Sequence, residues 1–305
     1  MIIPSRLFEG DTIGVISPAG SPNRERLTIG IEWLKQLGFH VRLGAGSTKK
    51  YGYLAGSDDE RLDDFHTMFA DDSVRAIICS RGGYGCARFA ERIDYELVRS
   101  HPKVFWGYSD ITYLHTAIRQ KTGLVTFHGP MLASDLGDPD APLLSKQLFS
   151  QLFQPMSLRY DEHLSPLECI SSGSSEGKLV GGNLSLLVSS LGTPFEIDTK
   201  GNLLLIEDIG EAPYRVDSML NQLRLSGKLN QATGFVIGDF HQKNSDDPDS
   251  LTYQEVFQTY LGGLGKPAVS GFLIGHCAPN FSVPLGVDAL LDADRKQLWI
   301  QPGVM

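Results

Sequence analysis

Three kinds of residue with the chemistry of a hydrolytic triad each follow an apolar run of this 305-residue sequence. Ser109 follows "KVFWGY", Glu207 and Asp208 follow "NLLLI", and His276 follows "AVSGFLIG". A hydroxyl nucleophile needs a base, and a carboxylate commonly orients that base. The order serine, acid, histidine also occurs in α/β-hydrolases, although the domain layout differs here. Together these residues indicate acyl-transfer chemistry.

Ser109 has a second interpretation, because a helical pattern begins directly after it in "ITYLHTAIRQKTG". Ser and Asp are frequent N-caps, so Ser109 or Asp110 could serve only to cap this helix. A helix that starts here also directs unpaired backbone N–H groups and its positive dipole end at the same space, as an oxyanion hole requires. The stretch is not GxSxG, and by itself it favours the cap.

The base and the acid each have two candidates. His128, in "TFHGP", ends an apolar run in the same way as His276. Glu207 and Asp208 are adjacent, and acids at strand ends commonly cap or pair. The residues alone leave both choices open.

A glycine-rich loop, "SRGGYG", follows the apolar run "VRAIIC". Glycines let the backbone approach a ligand closely. The loop lacks the Lys-Ser/Thr of a P-loop and the third glycine of a dinucleotide fingerprint, which argues against a phosphate-binding loop. Two interpretations remain open: a tight turn, or a loop whose backbone N–H groups face Ser109. Arg81, Gly82 and Tyr84 are our candidates for substrate contacts. Arg81 suits a bound carboxylate, although an isolated arginine is more often part of a structural ion pair.

The elements that position these residues alternate between strand and helix in the first half of the chain, which predicts a mostly parallel sheet. Helices are expected at "SDDERLDDFHTMFAD" and "GCARFAERI". In such sheets the loops at the carboxyl ends of the strands carry the chemistry, and "SPAGSP", "SRGGYG" and "GYSD" occupy that position. We expect an α/β domain over 1–150, a Pro-, Ser- and Gly-rich linker over 151–177 and a second domain over 178–305.

The composition excludes several classes of protein. A net charge of −9 argues against binding to nucleic acid or to anionic membranes. No apolar stretch reaches the length of a membrane span, and the N-terminus does not resemble a signal peptide. Four scattered cysteines without a CxxC pair are typical of a cytoplasmic protein with reduced thiols. The sequence has no HExxH and no Cys/His cluster, which argues against a metal site.

Seven motifs in order resemble the LD-carboxypeptidases, the muramoyltetrapeptide carboxypeptidase family of serine peptidases. They run from the first predicted strand to the last: "SPAG", "RGGYG", "GYSD", "TFHGPM", "GGNLSLLVSSLGTP", "LLLIEDIGEAPYRVDSMLNQL" and "GHCAPNFSVPLG". Each motif has modest specificity, and the seven together are strong.

The resemblance implies a flavodoxin-like N-terminal α/β domain, a C-terminal domain with a β-barrel-like core, and a homodimer. It also implies a triad of Ser109, Glu207 and His276, with the backbone N–H groups of Gly83 and Asp110 as oxyanion donors. The resemblance therefore selects Glu207 over Asp208 as the acid and His276 over His128 as the base. No metal and no organic cofactor is expected.

The implied reaction removes the terminal D-alanine from the cytoplasmic tetrapeptide L-Ala-γ-D-Glu-diaminopimelate-D-Ala during peptidoglycan recycling. One alternative is the self-immunity peptidase of the same family that cleaves microcin-C-type peptidyl nucleotides and carries an extended aromatic loop. The region after "GGNLSLL" is compact here and has no tryptophan before Trp299, which favours the muropeptide. A second alternative, from another class, is a non-catalytic nucleotide- or sugar-binding α/β protein.

Overall fold

The computed structural model describes residues 1–241 and 249–305, and the chain divides into two units. Unit 1 comprises Met1–Met156, Phe281–Gly286 and Pro302–Met305. Unit 2 comprises Ser157–Asn280 and Val287–Gln301. Each unit contains its own sheet.

The strands of the described ranges are numbered in chain order. They are β1 (Thr12–Ile16), β2 (His40–Leu43), β3 (Val74–Cys79), β4 (Val104–Gly107), β5 (Thr126–His128), β6 (Leu158–Tyr160), β7 (Glu168–Ser171), β8 (Ser174–Asn183), β9 (Asn202–Ile209), β10 (Gly234–His241), β11 (Ala268–Ser270), β12 (Val283–Leu285), β13 (Asp288–Asp292) and β14 (Gln297–Ile300).

The α-helices of the same ranges are α1 (Arg24–Gln36), α2 (Asp58–Ala70), α3 (Tyr95–Ser100), α4 (Thr112–Thr122), α5 (Leu143–Gln147), α6 (Leu184–Ser189), α7 (Pro213–Leu225), α8 (Lys228–Gln231) and α9 (Tyr253–Leu261). Short 3₁₀ segments cover Cys86–Arg88, Ala90–Arg92, Ser109–Ile111 and Leu148–Leu152, and a π turn covers Leu132–Leu136. Among these helices, none combines the length and the apolar character that a membrane crossing needs.

Unit 1 is built on a six-stranded sheet in the order β12-β5-β4-β3-β1-β2. Strands β1 to β5 are parallel, and β12 joins β5 antiparallel. The order 2-1-3-4-5 is that of flavodoxin, as the resemblance implied. Because a parallel sheet is covered on both faces, its strands are almost entirely apolar, and β3 is buried at every position except Arg75.

Local sequence signals set the ends of the helices in unit 1. Ser57 and Glu60 form a reciprocal capping box at the start of α2, with bonds of 3.2 and 2.8 Å. Gly123 ends α4 in the left-handed conformation, with a φ of 79°. The expected helical segment "SDDERLDDFHTMFAD" begins at Ser57 and the segment "ITYLHTAIRQKTG" ends at Gly123, because a cap depends only on neighbouring residues.

Unit 2 is built on an eight-stranded mixed sheet in the order β6-β14-β13-β8-β9-β10-β11-β7. The central strands β8, β9, β10 and β11 are parallel to one another, and the outer pairs are antiparallel. The resemblance implied a β-barrel-like core for this domain, and the structure has a sheet with β6 and β7 at its two ends. Helices α6, α7 and α9 contribute buried residues to the core that Leu204, Ile206 and Phe235 form on one face of this sheet.

The domain boundaries differ from those expected. Residues 151–177, expected as a linker, contain β6, β7 and the start of β8. The last part of the chain, expected wholly in the second domain, returns to unit 1 as β12, where Pro284 pairs with Phe127 at the sheet edge. A proline is tolerated at an edge strand, but three residues carry too little pattern to reveal a long-range pairing.

The segment "GCARFAERI" forms two 3₁₀ turns instead of the expected helix. The amide of Cys86, which opens the first of these turns, donates to the carboxylate of Asp110. Arg88 pairs with Asp58 on α2. These tertiary contacts hold the segment in a shape that local helix propensity does not select.

Candidate active site

Ser109 lies in the sharp turn between β4 and the 3₁₀ turn that leads into α4. Its φ is +65°, a left-handed conformation that costs a non-glycine residue on the order of 1 to 2 kcal/mol. An N-cap residue has extended backbone angles, so the Ser109 backbone is not that of a cap. Neither Tyr108 nor Ile111, at the two N-cap positions, makes a side-chain capping bond. A strained serine between a strand and a helix is the geometry of a nucleophile elbow.

Buried hydrogen bonds hold the strand end that precedes this turn. The carbonyl oxygen of Gly107 accepts bonds from Nε2 of His115, at 2.8 Å, and from the amide of Gly129, at 3.1 Å. Burial lowers the pKa of His115 to about 4, so its imidazole is neutral and Nε2–H is the donor. The chain therefore enters the turn from a fixed position.

The glycine-rich loop packs directly against Ser109. A methyl group at residue 82 would lie 2.7 Å from Cβ and 2.8 Å from Oγ of Ser109, so only glycine fits without displacing the serine. Gly83 has a φ of +122°, which L-amino acids with side chains rarely adopt. The loop reaches the turn because these two residues have no side chains.

Asp110 joins the turn to the same loop through its side chain. Its buried carboxylate accepts a 2.9 Å bond from the backbone N–H of Cys86. Burial raises the pKa of this carboxyl, and the bond from Cys86 opposes that rise. The amide of Asp110 belongs to the first turn of the helical segment, where backbone N–H groups lack helical partners.

Arg61, which sequence reasoning missed, connects two of the loops at the carboxyl ends of the strands. It is buried, and its Nη1 donates to the carbonyl oxygens of Pro18 at 2.7 Å and Gly85 at 2.8 Å. Its Nη2 pairs with Asp58. An arginine among the charges of an amphipathic helix has no local feature that predicts such a role.

In unit 2, Glu207 and His276 form a hydrogen-bonded pair. Nδ1 of His276 lies 2.7 Å from Oε2 of Glu207, which is fully buried in β9. Because Nδ1 carries a proton in a neutral imidazole that donates to a carboxylate, Nε2 is left as an acceptor. A histidine in this state can accept a proton while the carboxylate stabilises the resulting charge.

The apolar run "AVSGFLIG" predicted that His276 lies at the end of a strand. In the structure, His276 lies in an irregular segment after the strand. Strand β11 ends at Ser270, and Gly271 and Gly275 then take φ values of 97° and 123°. The amide of Gly275 donates to Oδ1 of Asn280 at 3.2 Å. The two glycines let the chain leave the sheet and turn the histidine toward Glu207.

Burial is the main influence on the Glu207 carboxyl. It raises the pKa of Glu207, while hydrogen bonds from His276 and Asn183 lower it. A methyl group on residue 275 would lie 2.5 Å from Oε2 of Glu207, so glycine is required beside the carboxylate. The acid is thus enclosed by backbone as well as by the histidine.

The remaining candidates have other surroundings. The carboxylate of Asp208 accepts bonds from Nδ2 of Asn183 and from the amide and hydroxyl of Ser185 at the start of α6, at 2.7 to 3.0 Å. Successive residues of a strand point to opposite faces, so Asp208 lies away from Glu207. His128 is fully buried in unit 1, with its ring 5.6 Å from that of Tyr108.

The candidate substrate contacts lie in unit 1. Arg81 donates from Nε to the carbonyl oxygen of Gly82 and from Nη1 to that of Ser21, each at 3.2 Å. Tyr84 is 51% exposed and its ring meets that of Tyr53 edge to face. Among the described side chains no group of three His, Cys, Asp or Glu residues is arranged to hold a metal ion.

Comparison with known proteins identifies relatives along the whole chain. Residues 13–129 match the model of the LD-carboxypeptidase N-terminal domain, and residues 176–291 match that of the LD-carboxypeptidase C-terminal domain. The probable murein peptide carboxypeptidase of Bacillus subtilis is 52% identical over 302 residues, which are 99% of this chain and 95% of the relative.

Two further relatives carry different functional names. The crystal structure of muramoyltetrapeptide carboxypeptidase from Oxalobacter formigenes aligns with a TM-score of 0.86 at 30% identity, over 96% of this chain and 100% of the other. The microcin C7 self-immunity protein MccF of Escherichia coli is 27% identical over 98% of this chain and 95% of its own length. The chain belongs to the LD-carboxypeptidase family, and it is a carboxypeptidase of the serine type.

Proposed function

We propose that the enzyme releases the terminal D-alanine from the murein tetrapeptide L-Ala-γ-D-Glu-diaminopimelate-D-Ala, with Ser109, His276 and Glu207 as its catalytic triad. The proposed setting is cytoplasmic peptidoglycan recycling, and the proposed assembly is a homodimer. The names of the murein and muramoyltetrapeptide carboxypeptidases among its relatives support this substrate.

The single observation that carries the proposal is the backbone of Ser109. Its φ of +65° is unfavourable for serine, and the surrounding hydrogen bonds of Gly107 and Asp110 maintain it. Strain that the rest of the structure stabilises is concentrated at functional sites. A serine that only capped a helix would not need it.

In the proposed acylation step, Nε2 of His276 takes the proton of the Ser109 hydroxyl as Oγ attacks the peptide carbonyl. Glu207, which accepts the Nδ1–H bond, stabilises the imidazolium that forms. The negative charge that develops on the carbonyl oxygen is stabilised by the amides of Gly83 and Asp110.

In the second half of the reaction, His276 returns the proton to the leaving amine and D-alanine departs. Water then attacks the acyl-enzyme, with His276 again acting as the base, and the tripeptide is released. Every proton transfer uses the same imidazole, so one histidine held in one tautomer is sufficient for both steps.

A Ser109→Ala variant tests this function directly. We expect its kcat for the tetrapeptide to fall by roughly 10⁶-fold, since a triad serine acts as one unit with its base. Released D-alanine is measured for the tetrapeptide and for the pentapeptide that ends in D-Ala-D-Ala, and the wild-type enzyme should cleave only the first. Ser100→Ala, on the surface of α3, is the matched control. Full activity in Ser109→Ala would exclude the proposed nucleophile.

The self-immunity peptidase is the second candidate function, because MccF aligns over almost the whole chain. The identity of 52% to the murein peptide carboxypeptidase, against 27% to MccF, favours the muropeptide. A competition assay with a peptidyl nucleotide and the tetrapeptide separates the two. A higher kcat/KM for the peptidyl nucleotide would reverse the preference.

A further inference from the structure

A groove of about 620 Å³ opens in unit 1 beside the glycine-rich loop. Three segments line it, with residues from 20–21, 50–53 and 81–84. The first and third of these segments follow β1 and β3, the neighbouring strands at which the strand order reverses. Ligands of doubly wound sheets bind at this position. We call it the Lys50–Arg81 groove.

Two exposed tyrosines form an aromatic wall of the groove. Tyr53 is 70% exposed and Tyr84 is 51% exposed, with ring centroids 5.7 Å apart. A tight turn presents the first ring: Tyr51 and Leu54 exchange backbone bonds of 2.8 and 3.0 Å around Gly52, whose φ is +60°. Because these bonds hold the backbone of the turn before binding, the turn loses little entropy when its ring contacts a ligand.

The groove is positively charged although the whole chain has a net charge of −9. Neighbouring cations are neutralised, since Lys49 pairs with Glu60 and Arg88 pairs with Asp58. Lys50 and Arg81 form no ion pair with any residue of the described ranges, and both line the groove. Two cations without carboxylate partners attract an anionic ligand to this position.

The groove is continuous with the loop that carries the proposed oxyanion donor. Gly83 is part of its lining, and the amide of Gly20 donates to the carbonyl oxygen of Gly82 at 3.1 Å. The tyrosine turn is tied to the same place, because the amide of Ala55 donates to the carbonyl oxygen of Ala19 at 2.9 Å. A ligand in the groove is therefore held next to Gly83.

We propose that the Lys50–Arg81 groove binds the acyl-side part of the peptide, with a free carboxylate against Lys50 and Arg81 and the aliphatic stretches of D-Glu or diaminopimelate against the tyrosine rings. This inference rests on the proposed function. The leaving D-alanine would fill only a small part of the groove, since pockets of ~300–1,000 Å³ hold drug-sized ligands. The acyl side supplies both the additional carboxylates and the aliphatic length.

Lys50 is the cleaner position to test, because Arg81 also bonds to the backbone of Gly82 and Ser21. Binding of the tripeptide L-Ala-γ-D-Glu-diaminopimelate is measured by calorimetry for the wild type, Lys50→Ala and Lys50→Arg, and for the control Lys200→Ala on an exposed turn of unit 2. The same titrations use a tripeptide whose α-carboxylates are amidated. Steady-state cleavage of the tetrapeptide accompanies them.

We expect Lys50→Ala to weaken tripeptide binding and to raise KM by about 10-fold, the effect of losing one hydrogen bond to a charged group, with kcat within about twofold of wild type. Lys50→Arg should restore binding, and the amidated tripeptide should bind the wild type and Lys50→Ala equally. Tyr53→Ala should weaken binding of both peptides, whereas Tyr53→Phe should not.

Equal binding of the unmodified tripeptide to Lys50→Ala and Lys200→Ala would overturn the inference, as would an equal loss for the free and amidated peptides. Binding does not require turnover. A wild type that binds the tripeptide in this manner but does not release D-alanine would refute the proposed function and leave the groove assignment standing.

Discussion

The two units contribute to the proposed triad by different physical means. In unit 1, Ser109 and the loop beside it are positioned by backbone conformation and by the absence of side chains at Gly82 and Gly83. In unit 2, glycine is also required at residue 275, but Glu207 and His276 are positioned mainly by burial and by one hydrogen bond between ionisable groups. We call Ser109 with Gly82 and Gly83 the nucleophile region, and Glu207 with His276 the acid–base region. Activity should be sensitive to added atoms in the nucleophile region and to a removed charge in the acid–base region.

The difference follows from the range of the forces involved. Steric exclusion acts over tenths of an ångström, so a single methyl group at residue 82 is enough to displace Ser109. Electrostatic stabilisation depends on the exclusion of water, and the carboxylate of Glu207 is fully buried. A substitution that removes charge but keeps shape therefore tests unit 2. A substitution that adds one methyl group tests unit 1.

The largest effect in this comparison is expected for Glu207→Gln, which keeps the shape and removes the charge. Without the carboxylate, the amide no longer selects the required tautomer of His276 or stabilises its imidazolium, and kcat should fall by roughly 10⁴-fold. Tm should not fall at neutral pH, because burial already disfavours the charged form. D-alanine release and thermal unfolding are measured together.

The pH dependence of activity provides a second test of the role of Glu207. Burial raises the pKa of Glu207, and the proposed mechanism requires its ionised form, so we expect acid inactivation to begin at a higher pH than for an ordinary glutamate. Glu168→Gln, at an exposed position of β7, is the control. A Glu207→Gln enzyme with near-normal kcat would show that charge does not determine the acid–base region.

A smaller effect is expected for Gly82→Ala in unit 1. The added methyl group displaces Ser109 or the loop, and kcat should fall by about 100- to 1,000-fold, the cost of one misplaced oxyanion donor. Gly263→Ala is the matched control, since a methyl group at residue 263 meets no atom within 4 Å. Kinetics at several substrate concentrations separate kcat from KM. Equal activity of the two variants would contradict the steric account.

The smallest effect concerns stability and not catalysis. The pKa of the buried His115 is lowered to about 4 from 6.5, so the unfolded chain binds a proton that the folded protein does not. The stability that this group contributes is fully present above about pH 6.5. It is lost as the pH falls toward 4, by up to about 3 kcal/mol.

His115→Gln keeps a donor for the carbonyl oxygen of Gly107 and removes the titration. Free energies of unfolding are measured in urea at pH 7.5 and pH 4.5. The decrease between the two should be smaller in His115→Gln than in the wild type, while His163→Gln, at an exposed histidine, should behave as the wild type. Identical pH dependence in all three would mean that His115 does not carry this effect.

The sequence predicted the features that depend on neighbouring residues. The mostly parallel sheet of unit 1, the start of α2 after Ser57 and the end of α4 at Gly123 follow from local periodicity and cap chemistry. The candidate site residues also came from local pattern, because each follows an apolar run. The seven motifs then selected among them.

Only the tertiary structure decided the features that depend on distant contacts. It placed Arg61 between two loops, returned β12 to the first sheet and brought Nδ1 of His276 within 2.7 Å of Oε2 of Glu207. It also gave Ser109 its left-handed backbone, which no propensity of serine favours. Long-range packing can impose such a conformation because many small contacts together exceed the strain of one residue, and that sum cannot be read from any local stretch of sequence.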